Sequence, residues 1–118
     1  MGMKKAVMEL NRSRIFSTIV SGLGYERVGL EIMREGVVIA SFTSFNNDGH
    51  ITQVKEGLHD PTFVTRIEQD IFEQITDPLE IEWMETHPLL AIKKYFRHVR
   101  MPFKIKLQIG SLFIRGLR

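Results

Sequence analysis

The chain contains no cysteine among its 118 residues. Disulfides, thiolate nucleophiles, cysteine-ligated zinc and iron–sulfur clusters are therefore excluded from its chemistry. It also has no apolar run long enough to cross a bilayer. Its first ten residues include Lys4, Lys5 and Glu9 and so lack the uninterrupted apolar stretch of a secretory signal. A cytoplasmic protein is expected. Proline is confined to Pro61, Pro78, Pro88 and Pro102. Each of these falls where the apolar periodicity changes, so they read as boundary markers.

Charge of one sign is missing from two adjacent stretches. From Ile67 to Thr86 there are seven acidic residues and no Lys or Arg, whereas from His87 to Arg118 there are eight Lys or Arg and no acid. The net charge of +2 conceals this division. A basic face suits phosphate-bearing partners such as lipid headgroups or nucleic acid. A pI near 9.1 on so small a net charge makes nucleic acid an unfavoured partner. The simpler expectation is that the acidic and basic stretches pair locally and are otherwise solvated.

The length suits one domain, residues 1–118, with a core of its own. Residues 3–20 carry Val7, Leu10, Arg14 or Ile15, and Thr18 or Ile19 at helical spacing, followed by Gly22 and Gly24, which predicts one amphipathic helix. Val28, Leu30 and Ile32 alternate with Arg27, Gly29 and Glu31, and a turn at Arg34-Glu35-Gly36 leads into β-branched and aromatic residues up to Phe45, a β-hairpin pattern. Asn46-Asn47-Asp48-Gly49 is a turn signal, after which strands are predicted over 51–55 and 62–67. Ile67, Ile71, Phe72 and Ile75 switch to helical period. Asp77-Pro78-Leu79-Glu80 has the form of a helix start, and Thr86-His87-Pro88 begins another helix with Leu89, Ile92, Phe96 and Val99 on one face. Finally Phe103, Ile105, Leu107 and Ile109 alternate with Lys104, Lys106 and Gln108, which predicts a half-buried strand. The expected fold is α+β: a single five-stranded, mainly antiparallel sheet covered on one face by an N-terminal helix and two to three helices from the C-terminal half.

The stretches HITQVKEGLHDPTFVTRIEQDIFEQI, HPLLAIKKYF and FKIKLQI resemble the sterol carrier protein family, the type-2 sterol/lipid-binding fold. In that family a strand pair is followed by a short acidic helix, a Pro-led helix with an Ala-aromatic or Ala-aliphatic pair, and a Lys-alternating strand. Pro88 and Ala91-Ile92 match the Pro and the Ala pair, whereas Thr76-Asp77 and Arg100-Met101-Pro102 stand where that family carries glycines. The resemblance implies a twisted sheet with helices on one face, enclosing an apolar cavity for a fatty acyl chain or similar lipid.

A lipid site needs a concave apolar lining and a wet cationic mouth. Phe72, Ile75, Trp83, Leu90 and Phe96 are the candidate lining, with Lys93, Lys94 and Arg97 at the rim. The same apolar stripes would also serve a closed core. Catalysis is not expected. His50, His59, His87 and His98 show no paired metal-ligand spacing, and Asp48-Gly49-His50 and His59-Asp60 read as loops. Ser41, Thr43 and Ser44 have no nucleophile-elbow glycines, and Gly22-Leu23-Gly24 lacks the third glycine of a phosphate loop. No metal or cofactor is expected. The function read from the sequence is non-catalytic binding or transfer of an apolar ligand, such as a lipid, a fatty acyl chain or a sterol-like molecule. Peripheral membrane contact is a further expectation. One alternative is an interaction module that dimerises or docks a partner through its acidic and basic faces. A weaker alternative is nucleic-acid binding through the basic C-terminal region.

Overall fold

The computed structural model describes residues 3–116. Strands β1 (Arg27–Arg34), β2 (Val37–Asn47) and β3 (His50–Glu56) form an antiparallel meander. Both connections are two-residue turns. Glu35-Gly36 has φ of 52° and 78°, and Asp48-Gly49 has 52° and 79°; positive φ at both positions suits the right-handed twist of hairpin strands. At Gly49 a β-carbon would lie 3.1 Å from the Ser17 carbonyl, so this turn packs directly on helix backbone.

From β3, at one edge, the chain crosses to the far side of β1 and runs parallel to it as β4 (Val64–Glu68). The crossing loop lies on the outer face of the sheet. A β-carbon at Gly29 would sit 3.0 Å from Val64 and 3.2 Å from both Leu58 and Pro61, so glycine permits the close approach. Beneath the loop, Thr43 is fully buried; its hydroxyl donates to Gly57 O at 2.8 Å and accepts from His59 N at 2.8 Å. A two-residue strand, β5 (Val99–Arg100), completes the order β3-β2-β1-β4-β5. The fold is thus α+β, with one five-stranded, mostly antiparallel sheet as the sequence predicts.

Six helices accompany the sheet among the described residues. They are α1 (Met3–Arg12), α2 (Arg14–Leu23), α3 (Gln69–Ile75), α4 (Pro78–Thr86), α5 (Pro88–Tyr95) and α6 (Phe103–Gly116). The Asp77 side chain accepts from Leu79 N and Glu80 N to start α4, as the capping signal implies.

The structure corrects three sequence expectations. The single N-terminal helix is broken at Ser13, which is extended (φ −75°, ψ 122°) and accepts from Phe16 N at 3.1 Å. Glu85, from the last turn of α4, accepts from the Ser13 hydroxyl at 3.1 Å and from Arg14 N at 2.6 Å. A carboxylate at the positive end of α2 satisfies donors that a continuous helix would have used internally.

The second correction concerns residues 103–109, which form the start of α6 and not a strand. The apolar residues there are four apart as well as two apart, and a spacing of four satisfies both periods. Tertiary packing selects the helix: Ile105 and Ile109 are buried, while Phe103 and Leu107 are exposed. Leu112 fills the space where a β-carbon at Gly22 would stand, so α6 packs closely on α2. Lys106 Nζ donates to Phe96 O at 3.0 Å. Third, of the face expected to hold Leu89, Ile92, Phe96 and Val99, the last three turn toward the interior between sheet and helices beside the buried Ala91 and Tyr95 of α5, whereas Leu89 is 65% exposed. The helix yields to a 3-10 turn (Phe96–His98) before β5.

Asn11, near the end of α1, makes a reciprocal pair with edge strand β3. Its Nδ2 donates to Ile51 O at 2.9 Å, and its Oδ1 accepts from Ile51 N at 2.8 Å. Because Ile51 is buried, Asn11→Ala should cost about 2 kcal/mol by leaving both backbone groups unpaired. Glu85→Ala should cost about 1–2 kcal/mol through the lost cap. The exposed neighbour Glu82, changed to Ala, should shift stability by less than about 0.5 kcal/mol. Urea unfolding of the three variants checks this; equal midpoints would contradict the clamp and cap assignments.

Candidate functional site

The sheet has two chemically different faces, as strand alternation requires. The outer one carries Arg27, Glu31, Lys55 and Arg66, with Arg66 Nε 2.8 Å from Glu31 Oε1. The inner one presents Val28, Leu30, Phe42, Val54 and Ile67 toward the helices. Between this inner face and the helices lies a cavity of about 290 Å³.

Helix α2 supplies one wall through Ile15, Phe16, Ile19, Val20 and Leu23. Their spacings of one, three and four make a broad apolar face, wider than a single packed stripe needs. The opposite parts come from Phe72 and Ile75 on α3, Ile81 and Met84 on α4, Ala91, Ile92 and Tyr95 on α5, and Ile109 on α6. Among the described residues no Asp, Glu, Lys, Arg or His lines the cavity. Its few polar side chains mostly have partners. The Tyr25 hydroxyl is 3.4 Å from Gln108 Oε1, Ser44 donates to Val28 O at 3.3 Å, and Tyr95 donates its hydroxyl to Glu80.

Three of the residues singled out in the sequence, Phe72, Ile75 and Phe96, line this cavity together. The other five do not. Trp83 is partly buried against the helical core, its indole stacked on His87 with centroids 5.3 Å apart and planes 17° apart. Leu90 is 53% exposed. Lys94 binds Glu80 Oε2 at 2.8 Å and sits 5.0 Å from the Trp83 ring, while Lys93 and Arg97 are exposed on the surface. The expected cationic rim is therefore an outer surface of α5 and its 3-10 turn, not part of the cavity lining. The α2 wall was present in the sequence as apolar spacing.

A second depression is closed by hydrogen bonds among its own polar groups. It is shallow, about 400 Å³, and lies among Met33–Glu35 and Glu68–Asp70. There Arg34 Nη2 donates to Gln69 Oε1 at 2.7 Å, and Gly36 N donates to Glu68 Oε1 at 3.1 Å. His50 Nδ1 and His59 Nε2 lie 3.0 Å and 2.6 Å from the Asp48 and Glu56 carbonyls of their own turns. Among the described residues no group of three or more His, Asp or Glu is placed to hold a metal.

Comparison with protein-family models and with curated proteins finds no match for the chain.

Phe72, only 5% exposed, and Leu90 separate lining from surface. Phe72→Ala should destabilise by about 3–5 kcal/mol, and Leu90→Ala by less than about 0.5 kcal/mol. Equal losses in denaturant titrations would contradict this placement.

Proposed function

We propose that the chain binds a small apolar ligand, without chemistry, in the cavity between the sheet and its helices. The observation that carries the reading is the combination of size and lining. Protein interiors normally pack to the density of organic crystals, with few voids larger than a water molecule. A dry apolar cavity of roughly 150 Å³ is already sufficient to hold benzene or xenon, and about 290 Å³, with no charged side chain lining it among the described residues, exceeds that. The volume approaches the lower end of ligand pockets, roughly 300 Å³, so it fits one short chain or a compact ring system. The sequence resemblance to the sterol carrier proteins over residues 50–75 and 87–96 points the same way, although the third matched stretch, 103–109, forms the start of a helix.

A specific surface observation favours contact with a membrane as the route of ligand exchange. Phe103 (74% exposed) and Leu107 (59%) stand one turn apart on α6, with exposed Lys104 and Arg100 beside them. Leu89 and Leu90 project from α5 next to exposed Lys93. Apolar side chains set among cations, with no acid between His87 and Arg118, suit an anionic lipid surface, where each Lys or Arg contributes about 1 kcal/mol.

Native mass spectrometry after incubation with medium-chain alkanes, alcohols and ethers should show one-to-one adducts. Repeated preparations without bound lipid and without uptake would sink the cavity reading. Sedimentation with vesicles tests the surface separately. Binding to phosphatidylserine-containing vesicles should exceed binding to pure phosphatidylcholine and fall at least severalfold in the Phe103→Ser/Leu107→Ser double variant. Equal binding to both vesicle types, or by the double variant, would argue against it.

A further inference from the structure

The edges of the sheet are protected, except along part of β2. At the β3 edge Asn11 occupies the N–H and C=O of Ile51, and Lys55 and Glu56 end the strand with charge. At the opposite edge β5 has only two residues, one of them Arg100. Covering groups, charges and short strands are the usual means of keeping an edge from pairing. β2, however, is longer than its neighbour, 11 residues against 7. The ladder between them begins at Phe42↔Glu56, with one further bond from Gly57 N to Ser41 O at 2.8 Å. Val37, Val38 and Ala40 therefore pair with β1 on one side and, among the described residues, with nothing on the other. Val37, Val38 and Ile39 are exposed, and no charged residue lies between Gly36 and Asn47. This step is an uncharged, β-branched edge with none of the protection found elsewhere.

Its backbone points outward at Val38. Arg34↔Val37 closes the two-residue turn and is a hydrogen-bonded pair, so the next pair, Met33↔Val38, is a non-bonded one. The Val38 N–H and C=O are thus directed away from β1, toward the vacant side. Ile39 has no partner on β1; it is the extra residue of a bulge, which stands outside the ladder.

We propose that this edge binds a second copy of the chain, β2 against β2 and antiparallel, about a two-fold axis at Val38. The Val38 N–H of each copy donates to the Val38 C=O of the other. In that register Val37 of one copy faces Ile39 of the other, a favourable β-branched pair, and Gly36 faces Ala40, where small residues permit close approach. Two features select a copy over a foreign strand. The free stretch ends where Gly57 bonds Ser41, so an incoming strand must stop there. The β2 of a second copy does stop there, because its chain turns back at Glu35-Gly36, opposite Ser41. The contact also uses the same patch on both copies, so it closes as a dimer and does not add strands without end. Val37, Val38 and Ile39 are outside the cavity lining, so the inference is independent of the ligand reading.

Sedimentation equilibrium of the full chain over a concentration series tests it. The average mass should rise from 13.7 kDa toward twice that value and be insensitive to salt, since no ion pair holds the contact. Val38→Lys sets like charges against each other across the axis and should weaken the dimer at least about tenfold. Because Val38 is exposed, the urea midpoint of the variant, measured in dilute protein, should be unchanged. A second measurement needs no variant: by NMR, the Val38 N–H should exchange with solvent at least about tenfold more slowly in concentrated than in dilute protein. Should Val38→Lys not fold, this exchange decides. A monomer at every concentration overturns the inference. So does a dimer that Val38→Lys leaves intact, one that dissociates in salt, or one in which Val38 exchange is independent of concentration.

Discussion

The apolar inner face of the sheet must be covered, and the helices available to cover it are short. The longest, α6, has 14 residues, and most have ten or fewer. Short helices gain little stability from their own hydrogen bonds and depend on what they pack against. Here several are fastened at the rim by polar contacts as well as by packing. Asn11 pairs with the backbone of Ile51 at the sheet edge. Glu85 caps α2 from α4, and Glu80 receives both Lys94 and Tyr95 from α5. Fastening at the periphery sets the distance between layers without demanding that the middle be filled. The cavity follows from that arrangement, since a layer held at its edges can stand off from the sheet.

The same contacts explain the division of charge along the sequence. The acidic stretch supplies carboxylates as structural acceptors: Glu68 to Gly36 N, Asp77 to the start of α4, Glu80 to α5, Glu85 to α2. Four acids from one stretch are thus consumed in holding elements together, which leaves little for an acidic docking face. The basic stretch is used less internally. Lys94 and Lys106 have partners, but Lys93, Arg97, Arg100 and Lys104 are exposed. The surplus positive charge therefore remains at the surface of α5, the 3-10 turn, β5 and the start of α6, next to exposed apolar side chains.

Most of the strand plan was legible because Val28, Leu30 and Ile32 alternate with polar or small residues in β1, β2 is rich in β-branched and aromatic residues, and the turns carry Glu-Gly and Asp-Gly, with positive φ at each position. The α3–α4–α5 series was legible through Asp77, Pro78 and Pro88. Residues 103–109 misled because alternation over so short a span is compatible with a helix once only every second apolar residue is buried, as Ile105 and Ile109 are. The break at Ser13 was hidden because its cause, Glu85, lies 72 residues away. For the site, apolar periodicity located Phe72, Ile75 and Phe96. It could not distinguish which side of α5 would be covered, so Leu90 was counted as lining although it is 53% exposed. Trp83 was drawn to His87 and Lys94, a local stack that no periodicity reports.

The central claim is that the space between sheet and helices is the ligand site. Methyl-resolved NMR spectra recorded while octane is titrated into the protein test it most directly. The account predicts saturable shifts at Ile19, Ile67, Ile75 and Ile109, whose side chains line the cavity, with Leu79 and Leu89, both exposed, unchanged. Shifts confined to Leu79 and Leu89, or no saturable shifts at all, would contradict it.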